Sequence, residues 1–297
     1  MQPIRTDLAL EAKGSFASIP GIRTEQKEVC GHTVTRVCVT TREAAKRLGK
    51  PIGSYVTVEK IDLTDRAALE DGELAVCIGE IISSMLPGKE RGTVLVAGLG
   101  NRTLTPDSLG PRAADGILVS RHILTQLGTP GVQGLRPVCV LNPGVMSTTG
   151  METGEILGAV IRRIRPSAVI AVDALAARST SRILSAVQIS DAGVAPGSGV
   201  GNHRTALTEE TLGVPVIAVG VPMVVHAATI LRDAAENMKN SEIDIAEVLR
   251  ELSGENLVVT PVIIDEAVRN AAALLSEAIN LALQPGLTRE EIRALCI

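Results

Sequence analysis

The chain has 297 residues, 45% of them hydrophobic, with 29 basic and 33 acidic side chains. That length suits one large domain or two small ones, and no Lys/Arg run exceeds two residues, which argues against a nucleic-acid-binding protein. Phe16 and Tyr55 are the only aromatic residues. The core must therefore be aliphatic, and no aromatic platform for stacking bases or sugars is available.

Five cysteines, Cys30, Cys38, Cys77, Cys139 and Cys296, form no CxxC pair and are odd in number. The start MQPIRTDLAL has no apolar signal-peptide core, and no apolar run approaches the roughly 18 residues of a membrane span. The expectation is a soluble cytoplasmic protein with reduced thiols.

Residues 1–30 are polar and poorly periodic, and read as a mobile or loosely docked N-terminal segment. Strands are predicted at Thr33–Thr40 and Ser54–Glu59, with a helix at Arg42–Leu48 between them. Asp65–Leu86 reads as one long amphipathic helix. Thr93–Ala97 is a short apolar strand, followed by a helix from Pro111 to Leu127. Val138–Leu141 is the next strand, and a helix covers Glu152–Ile164. A third strand, Ala168–Val172, ends at Asp173; Ala186–Ser190 and Val214–Val219 follow as strands. Helices at Val262–Leu283 and Arg289–Ala294 complete the chain. Alternating strand and helix predicts an α/β fold, a mostly parallel sheet covered by helices on both faces. No internal repeat or linker divides it.

Ligands of open parallel sheets bind beyond the carboxyl ends of the strands. The four loops there hold most of the unusual residues: Gly98–Pro111, Asn142–Glu152, Asp173–Ser179 and Ser190–Arg204. Asp173 stands at the end of the apolar run Val-Ile-Ala-Val, where burial raises a carboxyl pKa. Asp107 precedes a helix start, where backbone N–H groups favour the ionised form. Two carboxyls in unlike settings suit acid–base hydrolysis, Asp107 as base and Asp173 holding a proton. Equally, Asp107 fits an N-cap and Asp173 a structural acceptor at a strand end. No HExxH is present, and of His32, His122, His203 and His226 only His203 lies in one of these loops, so a metal-free pair is favoured. Ser108, Ser147 and Ser179 have no GxSxG context, and Gly197-Ser-Gly-Val-Gly201 lacks the GK[ST] ending of a phosphate loop.

Several motifs in order carry a resemblance. They are Arg5-Thr-Asp-Leu-Ala-Leu-Glu-Ala12, Thr105-Pro-Asp-Ser-Leu-Gly-Pro111, Pro143-Gly-Val-Met146, Ala171-Val-Asp-Ala-Leu-Ala-Ala-Arg-Ser179 and Gln188-Ile-Ser-Asp-Ala-Gly-Val-Ala-Pro-Gly-Ser-Gly-Val-Gly-Asn202. Together they resemble the germination proteases of endospore-forming bacteria, from the N-terminus to about Val225 and more weakly beyond. The resemblance implies an endopeptidase that starts degradation of small acid-soluble spore proteins in the spore core. It also implies a fold similar to the hydrogenase maturation proteases, a homotetramer and a zymogen. It implies that Asp107 and Asp173 are catalytic, without a cofactor. Within the matching loops Asn101, Arg102, Arg178, Ser179, Asp191, Gly199, Asn202 and His203 are candidates for binding or supporting substrate. The family cuts after an acidic residue and before an apolar one, and Thr6-Asp7-Leu8-Ala9-Leu10-Glu11 resembles such a site. Self-processing between Asp7 and Leu8 would leave residues 1–7 as a pro-segment and 8–297 as the peptidase domain. The competing readings are a metal-recognising maturation peptidase and an inactive binding protein of the same fold.

Overall fold

The computed structural model describes residues 6–13, 19–88, 92–127, 135–198, 204–237 and 257–296. Among them nine strands form one sheet: β1 (Ile22–Val29), β2 (His32–Val39), β3 (Gly53–Glu59), β4 (Val94–Gly98), β5 (Val138–Leu141), β6 (Ala168–Ala177), β7 (Ala186–Ser190), β8 (Val216–His226) and β9 (Val258–Val259). Their spatial order is β1-β2-β3-β7-β8-β6-β4-β5, with β9 added to the end of β8. The expected parallel sheet is the half β8-β6-β4-β5. The other half, β1-β2-β3-β7, is antiparallel and joins the first through an antiparallel β7–β8 pair.

The parallel half reads as continuous apolar runs because both of its faces are buried. Along β4, Val94 and Val96 point into one aliphatic layer with the helices Glu73–Met85, Leu109–Asp115 and Ile264–Leu283. Leu95 and Ala97 alternate to the opposite layer, against Leu157 and Ile161 of the helix Thr153–Ile164. No helix among the described residues is long and apolar enough to cross a membrane.

Four expectations change. The N-terminal segment is docked where it is described: Leu8 and Ala9 are fully buried. Ile22–Val29 is a strand, paired with β2 over its whole length; it looked structureless because it is an edge strand with both faces largely exposed and charged, a pattern that blocks edge-to-edge association. The single helix expected over Asp65–Leu86 is a 3-10 turn, Ala67–Leu69, then the helix Glu73–Met85. It breaks at Gly72 (φ 81°), over which Arg289 lays its guanidinium, donating to the carbonyls of Asp71 (2.7 Å) and Glu70 (2.9 Å). The helix expected over Pro111–Leu127 likewise breaks at Gly116, where Asn280 accepts from Leu118 N–H (2.9 Å) and donates to Gly116 O (2.9 Å). The fourth change concerns β6, which does not stop at Val172 but continues through Asp173 to Ala177 alongside an equally prolonged β8.

Candidate active site

The prolongation of β6 sets the site. Asp173 sits inside a strand, only 6% exposed, with Gly220 of β8 opposite it. Its Oδ1 accepts one hydrogen bond, from Ala174 N–H at 2.9 Å. Burial, then the charges of Asp107 and Asp7, push its carboxyl well above the usual carboxylate range.

Asp107 is brought in by the loop after β4. Leu99 N–H donates to Val172 O (2.8 Å), stitching the loop to β6 just before Asp173. The chain then turns at Gly100 (φ 107°), where a Cβ would overlap the Asp107 carbonyl oxygen and press on its Oδ1 at 2.9 Å. Asp107 closes a 3-10 turn, Thr105–Asp107, and its Oδ2 accepts from Asn101 N–H at 2.7 Å. It does not cap the helix Leu109–Asp115, so the capping alternative falls. The expected preference for the ionised form is also reversed in direction. Burial raises the Asp107 pKa, against the opposing pull of the Asn101 amide and the Arg204 charge.

Both aspartates line a cleft of about 430 Å³, together with Gly100, Pro106, Leu175 and Arg204. A third carboxyl lies there as well, that of Asp7. The segment around it runs beside the prolonged end of β6. Asp7 N–H donates to Ala176 O (3.0 Å), Asp7 Oδ2 accepts from Ala176 N–H (2.8 Å), and Oδ1 accepts from Ser198 Oγ (2.8 Å). Four residues on, Glu11 accepts from the backbone N–H groups of Arg178 (2.6 Å) and Ser179 (2.9 Å) and from Arg182 (3.4 Å). Its side chain is 2% exposed. Leu8, between these two anchors, packs on Leu175, Ala177 and Val225.

A larger cavity, about 760 Å³, lies on the far helical layer between Arg66, Glu70 and Glu277. Two of its acids are engaged in ion pairs, Glu277 with Arg289 and Arg293 and Glu70 with Arg66, and the third, Glu266, is exposed. It holds no buried acid pair, so the smaller cleft is the candidate site.

The remaining sequence candidates divide. Asn101 shapes the Asp107 loop; its side chain also accepts from Thr103 N–H (3.0 Å) and Oγ1 (2.8 Å). Arg178 and Ser179 act through their backbone amides. Two others lie outside the cleft. Arg102 forms an exposed two-pronged pair with Asp115 at 2.7 and 2.8 Å, which holds the loop on its helix. Asp191 accepts from Ser54 N–H (2.6 Å) at the start of β3. Gly199, Asn202 and His203 lie outside the described residues. Among the described residues no group of three or more His, Cys, Asp or Glu side chains is arranged to hold a metal ion. Lys50, Gln188 and Arg204 were not among the sequence candidates: Lys50 carries no motif, Gln188 only opens a resembling one and Arg204 only closes an edge loop, and the fold draws them to the Asp7 segment and its cleft.

A family model described as germination protease matches residues 4–241. The germination protease of Caldanaerobacter subterraneus is 41% identical, over 98% of each chain. That of Clostridium perfringens is 36% identical over 98% of each. That of Priestia megaterium is 41% identical over 78% of this chain and 66% of its own. A hydrogenase maturation protease from Thermococcus kodakarensis aligns to 67% of this chain and 98% of its own with a TM-score of 0.35 and 17% identity. A family match across most of the chain and relatives of such identity over its whole length leave one assignment: this chain belongs to the germination protease family.

Proposed function

We propose that this endopeptidase cuts by means of the Asp107–Asp173 pair and first cuts itself between Asp7 and Leu8. The observation that carries the reading is the placement of Asp7. Its carboxyl is held in the cleft of the two aspartates, and Leu8 and Glu11 after it are each enclosed. An acidic residue, an apolar one and, on the short helix Ala9–Lys13, a second acid are thus each held in place around the Asp7–Leu8 peptide.

In the proposed step, the ionised partner of the pair takes a proton from water as its oxygen adds to the Asp7 carbonyl carbon. The carbonyl electron pair moves onto oxygen. When it returns, the bond to the Leu8 nitrogen breaks, and that nitrogen takes a proton from the protonated partner. Asp173 is the better proton holder, being the more buried and facing two other carboxyls. Residues 1–7 are then a pro-segment and 8–297 the peptidase domain. Substrates in trans are small acid-soluble spore proteins, met in the spore core by a homotetramer; family membership and the gripped acidic–apolar segment support this.

The test is N-terminal sequencing of the mildly acidified full chain, expected to start at Leu8. An intact Met1 in material that digests a Thr-Asp-Leu-Ala-Leu-Glu peptide would remove the self-processing step. Digestion of that peptide with and without a chelator separates the readings: loss with chelator points to a metal-dependent peptidase, and no digestion under either condition to a binding protein.

A further inference from the structure

The Asp7–Leu8 peptide has one feature that the acid pair does not account for. Its carbonyl oxygen accepts two side-chain hydrogen bonds, from Lys50 Nζ at 2.9 Å and from Gln188 Nε2 at 3.0 Å. Buried main-chain carbonyls are ordinarily met by backbone N–H groups. Here a cation and an amide from distant parts of the fold converge on a single oxygen instead. The orientation of the amide follows from its surroundings, because Gln188 Oε1 accepts from Ala9 N–H at 2.8 Å and only Nε2 is left to donate.

Both donors stand on firm supports. Gln188 is an interior residue of β7, in register with Thr57 of β3 and Gly220 of β8. Lys50 follows Gly49, the left-handed cap (φ 69°) of the helix Arg42–Leu48, and its N–H returns to Ala45 O at 3.2 Å. The next residue, Pro51, accepts from Tyr55 Oη at 2.8 Å. The same lysine also reaches Thr6 O at 2.9 Å. Asp7, Lys50, Asp173 and Gln188 line one cavity.

We propose that Lys50 and Gln188 are the oxyanion hole of this peptidase. This rests on Asp7–Leu8 being a bond that the enzyme cuts. As water adds to the Asp7 carbonyl carbon, the electron pair leaving the C=O bond settles on an oxygen that already faces an ammonium and an amide N–H. Donors fixed before the reaction stabilise that charge without reorganising. Burial lowers the pKa of Lys50, against the opposing charges of Asp7 and Glu11. Its ammonium is thus poorly hydrated, and it interacts more strongly with a negative charge forming beside it. With the oxygen served in this way, the proton of the acid pair stays available for the Leu8 nitrogen, whose N–H meanwhile donates to Thr6 Oγ1 at 3.0 Å.

The alternative is that Lys50 and Gln188 merely clamp the segment, and kinetics separates the two. The experiment uses the full chain and reads two things. One is the rate at which Leu8 becomes the N-terminus. The other is kcat and KM of processed enzyme on a peptide of residues 3–13. Lys50→Met and Gln188→Glu should each lower self-cleavage and kcat by about 10²–10³-fold, the usual effect of removing one such donor. KM should change little. Lys50→Arg should recover part of kcat. Gln188→Glu keeps the acceptor for Ala9, so its fold, checked by thermal melting, stays comparable. Losses confined to KM, or self-cleavage of both variants at the parent rate, would overturn the oxyanion hole while leaving self-processing intact. A parent chain that never cuts Asp7–Leu8 would overturn both.

Discussion

Asp173→Asn should lower peptide cleavage and self-processing by about 10²–10⁴-fold and, at the same time, raise the melting temperature at neutral pH. The two effects share a cause. Asp173 is buried, and Asp7 and Asp107 hold its carboxyl well above the usual range. The folded chain therefore binds the Asp173 proton more tightly than the unfolded chain does. Stability is lost as pH rises from the unfolded carboxylate value towards the raised folded one, and the deficit is fully present above the latter. An amide cannot ionise, so the variant escapes that cost, while it loses the group that holds and delivers a proton. A purely structural acceptor would behave oppositely, costing stability and leaving cleavage intact. Asp107→Asn should match the first variant in activity but not in stability, because it weakens the bond from Asn101 N–H. Full activity in either variant removes that residue from the mechanism. Because burial raises both carboxyls, the pH–rate profile should be a bell whose limbs belong to the pair. Its acid limb, where the base becomes protonated, should lie above the ordinary carboxylate range.

The second large effect is expected from a residue with no functional group. Gly100→Ala puts a methyl where the Asp107 carbonyl oxygen lies, on a backbone of φ 107° that an L side chain rarely adopts. The loop must shift, and Asp107 with it. A displacement near 1 Å at a catalytic group costs about 10²-fold in rate. Cleavage should fall by at least that factor, while the peptide KM moves little. The thermal midpoint should fall only modestly, since the loop flanks the core of β4 and β6 without forming it. Parent-level cleavage by Gly100→Ala would show that Asp107 does not depend on this turn.

Much of this was legible in the sequence for identifiable reasons. The strands β4, β5 and β6 announce themselves because burial on both faces leaves only apolar residues. The helix Arg42–Leu48 is bounded by Thr41, whose side chain accepts from Ala44 N–H, and by Gly49, both local signals. The two aspartates were found because they follow such strands in distinctive motifs. What escaped depends on partners far along the chain. The breaks at Gly72 and Gly116 are fixed by Arg289 and Asn280, more than 160 residues away. The antiparallel half is invisible because a short strand such as Ala186–Ser190 reads the same in either direction. The end of β6 was misjudged because Asp173 looks like a strand terminus until β8 is known to run on beside it. Lys50 had no motif at all; a lysine between a glycine and a proline reads as ordinary surface turn chemistry.

The poverty of aromatic residues also has an optical consequence. With no tryptophan in the chain, near-ultraviolet absorption and emission come essentially from Tyr55. That ring is 4% exposed, holds the loop next to Lys50 through its hydroxyl, and faces the cavity that contains Asp7. The molecule thus carries its single tyrosine beside the bond proposed for self-cleavage. Departure of the N-terminal segment would change its surroundings with no tryptophan to mask the signal, so the proposed event can be followed in unlabelled protein in real time.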